Sequence, residues 1–108
     1  MLIIWSDDAD NDMAEILAYF SGIDKEEIGL EIVSDIFSST DRLVDYPLSG
    51  RAGRLSNTRE LVSNSFPYVV IYRISADSIH ILGVIHRDCF LKCCDFINGY
   101  GEIVYVNK

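Results

Sequence analysis

The sequence predicts an α+β domain in which a two-helix hairpin packs on an antiparallel sheet of three to four strands. Residues 6–44 repeat apolar side chains at helical spacing, whereas residues 59–85 hold three runs rich in β-branched and aromatic residues. A short apolar run at residues 2–5 adds an N-terminal strand. Placing helices on one side of an antiparallel sheet buries both apolar faces, so 108 residues suffice for one domain of this class.

The first helix is predicted to begin after Ser6 and to end near Gly22. Ser6 is a favourable N-cap residue, and the acids that follow it suit the positive end of the helix dipole. Gly22 tolerates the left-handed backbone that ends many helices. One face of this helix is apolar at spacings of three and four residues, with side chains at Ala9, Met13, Ile16, Leu17 and Phe20.

The second helix is predicted to begin near Asp24, with Glu26 and Glu27 in its first turn, and to continue to Val44. The serine and threonine residues at 38–40 are unfavourable inside a helix and weaken its last turns. Two such helices joined by a short turn form a hairpin with one shared apolar face. Its opposite face carries the acidic residues.

A loop and three strands are predicted for the middle of the chain. Pro47, Gly50 and Gly53 do not suit a helix interior, so residues 46–58 are expected to form a loop. The strands are expected at residues 59–63, 68–74 and 78–85, and the turn-like residues between them favour antiparallel hairpins. The run 68–72 has almost no polar alternation, which is typical of a central strand with both faces covered.

The C-terminal residues give weaker patterns. Residues 88–97 suit either a helical turn or a loop, and residues 102–106 alternate as a strand does. We therefore divide the chain into a compact domain at residues 1–88 and a C-terminal extension at residues 89–108.

Charge is distributed unevenly along the chain. Residues 1–45 carry twelve acids against two basic residues, and the whole chain has a net charge of −8. This acidity argues against direct binding to free nucleic acid. Five arginines within residues 50–87 are instead predicted to contact a target: Arg51, Arg54, Arg59, Arg73 and Arg87.

The sequence predicts no metal site, no cofactor and no membrane span. Cys89, Cys93 and Cys94 lie close together without a second ligand pair at zinc-finger spacing, and their odd number does not make a disulfide framework. The first apolar run ends at Ser6 with no preceding basic residue, unlike a secretory signal. We therefore expect a soluble, cytoplasmic protein.

These features together resemble the RelE/ParE superfamily of toxins from type II toxin–antitoxin modules. The resemblance spans roughly residues 2–88. It rests on the ordered set of an apolar strand ending in Trp5-Ser6, the helical hairpin, the Gly50-Arg51-Ala52-Gly53-Arg54 loop, the Thr58-to-Val62 strand, the Pro67-to-Ile74 strand, and a last strand ending in His86-Arg87.

The resemblance implies one of two activities. Nuclease members cleave mRNA in the ribosome, and in this chain Arg59, His86 and Arg87 match their basic positions. Such a reaction requires cations that stabilise the phosphate and a group that transfers a proton. However, Val69 and Leu61 stand where nuclease members can place basic residues, and the C-terminal tyrosine of those members falls near Cys93.

Residues 50–72 are closer to the ParE branch, whose members inhibit DNA gyrase by binding and without cutting RNA. The resemblance then implies a module of the plasmid-stabilisation kind, with gyrase as the target and a cognate antitoxin that neutralises the toxin. The ribosome-dependent endoribonuclease stays open as an alternative, and so does a non-toxic binding protein of the same fold.

Overall fold

The computed structural model describes residues 2–53, 56–87, 95–96 and 104–105. The elements of the main domain are β1 (Leu2–Trp5), α1 (Asp7–Gly22), α2 (Glu26–Asp41), a 3-10 turn (Arg42–Val44), β2 (Arg51–Ala52), β3 (Arg59–Val62), β4 (Tyr68–Ile74) and β5 (Ser78–His86). Two further short strands, β6 (Asp95–Phe96) and β7 (Val104–Tyr105), pair with each other in a separate antiparallel sheet.

The α+β class is confirmed, but the main sheet has five strands instead of three or four. The strand order is β1-β5-β4-β3-β2. Strand β1 pairs in parallel with β5, and the other pairs are antiparallel. The helical hairpin between β1 and β2 carries the chain from one edge of the sheet to the other. The fifth strand comes from the loop predicted at residues 46–58, where Arg51–Ala52 pairs with β3.

Helix α1 has the predicted bounds and N-cap, but Gly22 is its last helical residue and does not take the left-handed backbone expected at the end. The Ser6 hydroxyl accepts a hydrogen bond from the Ala9 amide at 3.0 Å and donates one to the carbonyl of Leu82 at 3.2 Å. Leu82 is the extra residue of a β-bulge, because the β4–β5 register shifts there. The N-cap therefore also ties the helix to the irregular part of β5.

Helix α2 begins two residues later than predicted and ends earlier. Asp24 has a φ of 61°, a left-handed backbone that cannot belong to the helix, so Glu26 is the first helical residue. After Asp41 the chain tightens into the 3-10 turn, which still buries Leu43 completely. The hydroxyls of Ser39 and Thr40 donate to carbonyls of the preceding turn, which satisfies these two buried groups inside the helix.

The core lies between the helical hairpin and one face of the sheet, here called the helix face. The fully buried side chains there include Ile36, Leu43, Tyr72, Ile79 and Ile81. On the opposite face of β4, Val69 and Ile71 are also buried, at 1% and 3% exposure. The prediction that β4 is a central strand with both faces covered is confirmed.

The tail predictions can be compared with the structure at two points. Strand β7 lies inside the run 102–106 that was predicted to be a strand. Residues 95–96 form a strand and not the helical turn or loop predicted for residues 88–97. The rest of the tail lies outside the described residues, and the division of the chain at residue 88 stays a prediction.

Candidate functional site

Three of the five predicted target-binding arginines lie on neighbouring strands at one end of the sheet. Arg51 lies opposite Glu60 across β2 and β3, and Arg59 lies opposite Tyr72 across β3 and β4. Arg73 follows Tyr72 directly, so the three arginines lie on three neighbouring strands. We call this group, Arg51, Arg59 and Arg73, the arginine edge.

The loop before β2 is fixed to the sheet by Tyr72. This tyrosine is completely buried, and its hydroxyl donates to the carbonyl of Pro47 at 2.8 Å and accepts from the Gly50 amide at 2.9 Å. Burial raises the pKa of the Tyr72 hydroxyl, so it stays protonated and able to donate. One side chain therefore satisfies two backbone groups of the loop and holds it against β4.

Arg59 reinforces the same loop. Its Nη1 group donates to the carbonyls of Leu48, at 3.4 Å, and Gly50. These contacts use part of the Arg59 guanidinium to position the loop. Arg51, which continues from Gly50, is held by this arrangement at a defined place on the surface.

Two glycines allow the loop to approach the sheet this closely. A Cβ atom on Gly50 would lie 2.6 Å from the Tyr72 hydroxyl and 2.8 Å from the carbonyl oxygen of Glu60. A Cβ atom on Gly53 would lie 2.4 Å from the hydroxyl oxygen of Thr58. Any other residue at either position requires a movement of the backbone or of these side chains, which explains the two glycines of this loop.

The guanidinium of Arg51 is available at the surface. Its Nε atom lies 3.4 Å from Oε1 of Glu60, and the exposed fractions of the two side chains are 65% and 5%. An ion pair this exposed on one side contributes about 0–1 kcal/mol. Its role here is to orient Arg51, since most of the guanidinium still faces solvent.

Arg59 and Arg73 line a shared cleft of about 470 Å³. The remaining wall is formed by the apolar residues Ala52 and Ile74 and the polar residues Asn57, Thr58 and Ser75. Asn57 has a φ of 63°, in the left-handed region that asparagine tolerates in turns. Asn57, Thr58 and Ser75 therefore add hydrogen-bonding groups to the cleft beside the two arginines.

The structure separates the other candidates from the arginine edge. Arg87 is exposed just beyond β5, and its amide donates to the carbonyl of Pro67, at the opposite end of β4 from Arg73. Pro67 and Arg73 are six residues apart, about 20 Å along the strand direction. Arg54 lies outside the described residues.

The three residues suggested for a nuclease do not converge. His86 lies opposite Tyr68 on β4, and its ring contacts the Tyr68 ring edge-on with 5.2 Å between centroids. Arg59 lies opposite Tyr72, four residues further along the same strand, a backbone separation of about 13 Å. His86 and Arg87 therefore share one end of the sheet, whereas Arg59 belongs to the other.

A second feature, which the sequence did not reveal, lies at the His86 end. Helix α1 and the ends of β4 and β5 enclose a groove of about 190 Å³ lined by Asp12, Glu15, Ile16, Tyr19, Phe20, Tyr68, Val84 and His86. We call it the acidic groove. Asp12 lies beside the apolar face of α1, one residue before Met13. This position of an acid next to apolar residues was the one feature of the sequence that could have indicated the groove.

Asp12 is an unusual carboxylate. Its Oδ2 atom accepts a hydrogen bond from the Val84 amide at 2.9 Å. Burial raises the pKa of this carboxyl to about 6, the Val84 amide opposes that rise, and the negative charges of Glu15 and Asp8 add to it. The groove therefore holds a carboxylate that is destabilised by its surroundings at neutral pH.

In the part of the chain that the structure describes, no group of three or more His, Cys, Asp or Glu residues is placed to hold a metal ion. The three cysteines fall outside that part. Neither α1 nor α2 combines the length and the apolar character needed to cross a membrane, among the residues described.

Known proteins place this architecture in a family. Residues 3–88 match the family model described as "ParE toxin of type II toxin-antitoxin system, parDE". The chain therefore belongs to the ParE family of toxins of type II toxin–antitoxin systems, which confirms the resemblance and its ParE branch.

One relative and one solved structure show how far the similarity extends. The chain is 42% identical over 84 residues to the protein named "Putative toxin Y4kP" of Sinorhizobium fredii (strain NBRC 101917 / NGR234). The matched region covers 78% of this chain and 85% of the relative. Its fold is similar to a chain of the structure "Chromosomal ParDE TA system from P. aeruginosa", with a TM-score of 0.71, 24% identity, and coverage of 80% of this chain and 95% of that one.

Proposed function

We propose that this ParE-family toxin acts in the cytoplasm by binding and inhibiting DNA gyrase through the arginine edge, and that a cognate antitoxin neutralises it. The observation that carries the proposal is the exposed Arg51 guanidinium next to a loop that is fixed by Tyr72 and Arg59. A surface of this kind loses little conformational entropy on binding, because its backbone is already in place.

The division of labour within the arginine edge follows from the contacts. Arg51 and Arg73 are exposed and are assigned to the target, whereas Arg59 mainly positions the loop. Acidic groups on the target would pair with these two exposed guanidinium groups, of which Arg73 borders the cleft and Arg51 lies outside it, and arginine suits such bidentate pairs. Arg87, about 20 Å away along the strand direction of β4, would contact a separate part of the target.

The geometry favours binding over RNA cleavage. A nuclease site would need Arg59, His86 and Arg87 around one phosphate, so that cations and a proton-transfer group act together. The backbone separation of about 13 Å between Arg59 and His86 along the strand opposes that arrangement. His86 also packs edge-on against Tyr68, which suits a structural role.

Two assays on the same purified protein test the target. One measures DNA supercoiling by gyrase, and the other measures cleavage of mRNA on programmed ribosomes. The proposal predicts loss of supercoiling with intact mRNA. Cleaved mRNA with normal supercoiling would overturn it in favour of the endoribonuclease, and no effect in either assay, with normal growth at high expression, would indicate a non-toxic binding protein.

Neutralisation is tested by expression in a host. The toxin gene alone should arrest growth, and coexpression of a small reading frame adjacent to it should restore growth and yield a complex that copurifies. Growth arrest that persists when the adjacent product is present at equal levels would contradict the proposed antitoxin.

A further inference from the structure

The acidic groove differs from the arginine edge in place and in charge. Its nearest strand residues are Tyr68 on β4 and His86 on β5, at the far end of β4 from Tyr72. Its volume of about 190 Å³ is below the roughly 300–1,000 Å³ typical of sites for drug-sized ligands. The groove therefore suits a single protein side chain better than an organic cofactor.

Two carboxylates of α1 stand on one side of the groove. Asp12 is held by the Val84 amide, and Glu15, almost one helical turn further, accepts from the Asn11 side chain at 3.2 Å. These two hydrogen bonds use Oδ2 of Asp12 and Oε2 of Glu15, so each carboxylate has a second oxygen that can accept from a ligand. The described residues that line the groove include neither lysine nor arginine, and Asp8 adds further negative charge nearby.

Aromatic rings form the rest of the wall. Tyr19 packs on Phe20 at 5.0 Å between ring centroids, nearly perpendicular, and Tyr68 packs on His86 at 5.2 Å. A guanidinium group stacks well on aromatic rings through cation–π contacts. Carboxylates and aromatic rings together bind the planar guanidinium of arginine better than the compact ammonium group of lysine.

We propose that the acidic groove is a docking site for an arginine side chain of a partner polypeptide. The guanidinium of this arginine lies between the carboxylates of Asp12 and Glu15. The aliphatic part of the arginine side chain packs against Ile16 and the aromatic rings. The charge complementarity between this acidic helix and a basic side chain carries the assignment. It does not depend on gyrase as the target, because the groove shares no residue with the arginine edge.

A titration with a minimal probe tests the site. We would add Nα-acetyl-arginine N-methylamide to the ¹⁵N-labelled full chain and follow amide chemical shifts. The Val84 amide, which reports on Asp12, should shift together with amides of residues that line the groove. The neutral citrulline counterpart has nearly the same shape and should bind at least about tenfold more weakly, since a lost charged hydrogen bond is worth about 1.5–3 kcal/mol.

Variants localise the binding. Asp12→Asn keeps an oxygen that can accept from the Val84 amide, and Glu15→Gln changes an exposed side chain, so both should remain folded. Each should weaken the arginine probe at least about threefold. Glu27→Gln, on the exposed first turn of α2 and outside the groove, is the matched control and should bind the probe as the original chain does.

Several outcomes would overturn the proposal. These are equal affinity for the citrulline probe, unchanged affinity in Glu15→Gln, or shifts confined to residues outside the groove. Tighter probe binding in Arg87→Ala would show that an arginine of the same chain occupies the groove. A molecular mass in solution that rises to that of a dimer at high protein concentration, and falls to that of a monomer when the probe is added, would assign the groove to a second copy of this chain.

Discussion

The two ends of β4 carry opposite chemistry. At one end, Tyr72 and Arg73 belong to an edge rich in guanidinium groups, and at the other end Tyr68 borders a groove that contains two carboxylates. Four residues of one strand, about 13 Å, separate the two tyrosines. An acidic protein thus keeps a basic surface and an acidic groove apart on one rigid support.

The two ends are also held differently. The arginine edge depends on a buried tyrosine that binds two backbone groups of a loop, so its shape is set by hydrogen bonds within the sheet layer. The acidic groove depends on a helix docked to β5 through the Asp12 carboxylate. Changes to loop packing should therefore damage the first end, and changes of pH should affect the second.

The largest effect is expected from Gly50→Ala. The new Cβ would meet the carbonyl of Glu60 at 2.8 Å, and this backbone group cannot rotate away without moving β3. Such overpacking costs about 1–3 kcal/mol, and we expect the upper part of that range. The free energy of unfolding is measured by urea denaturation.

Gly22→Ala is the matched control, since nothing lies within 4 Å of its added Cβ and the position is helical. It should stabilise the protein by up to about 1 kcal/mol. A Gly50→Ala protein as stable as the original would contradict the close packing of the loop on Tyr72.

The next effect is expected from Tyr72→Phe. The substitution leaves the Pro47 carbonyl and the Gly50 amide without their buried partner, which costs about 1–3 kcal/mol. Because the core around the ring is unchanged, we expect about 2 kcal/mol, measured by the same denaturation. Tyr46→Phe alters an exposed tyrosine and should leave stability unchanged.

A smaller effect, specific to the groove end, is expected from pH. The pKa of the Asp12 carboxyl is about 6 in the folded protein against an ordinary value of 3.8, so its ionisation opposes folding. The original chain should therefore lose stability relative to Asp12→Asn as pH rises from about 4 to about 6. Because the carboxyl is partly exposed, we expect a change of about 1–2 kcal/mol.

Carbon-13 NMR of the Asp12 carboxyl gives the pKa directly. A midpoint near 6 agrees with the groove as described. A midpoint at or below 4, or a stability difference that does not change with pH, would contradict the burial of Asp12 against β5.

Much of the fold could be predicted because local signals agreed with the tertiary structure. Ser6 and the acids after it set the start of α1, and the uninterrupted apolar run at residues 68–72 indicated a strand covered on both faces. The parallel pairing of β1 with β5 joins residues more than 70 positions apart. No local pattern reports such a partner.

The candidate site was predictable only in part. Clustering of arginines along the sequence indicated a charged surface, but strand register decides which arginines meet. Register brought Arg51, Arg59 and Arg73 together and left Arg87 at the other end. Asp12 was missed because its character comes from burial and from the Val84 amide, which belongs to a distant strand.

The most direct test of the arginine edge is gyrase supercoiling measured with three proteins at equal concentrations. They are the original chain, the double variant Arg51→Ala/Arg73→Ala, and Arg42→Ala, whose exposed arginine contacts Asn64 away from the edge. We predict that the double variant needs at least about tenfold more protein for half-inhibition, whereas Arg42→Ala equals the original chain. Equal inhibition by all three folded proteins would contradict the assignment of the target surface to the arginine edge.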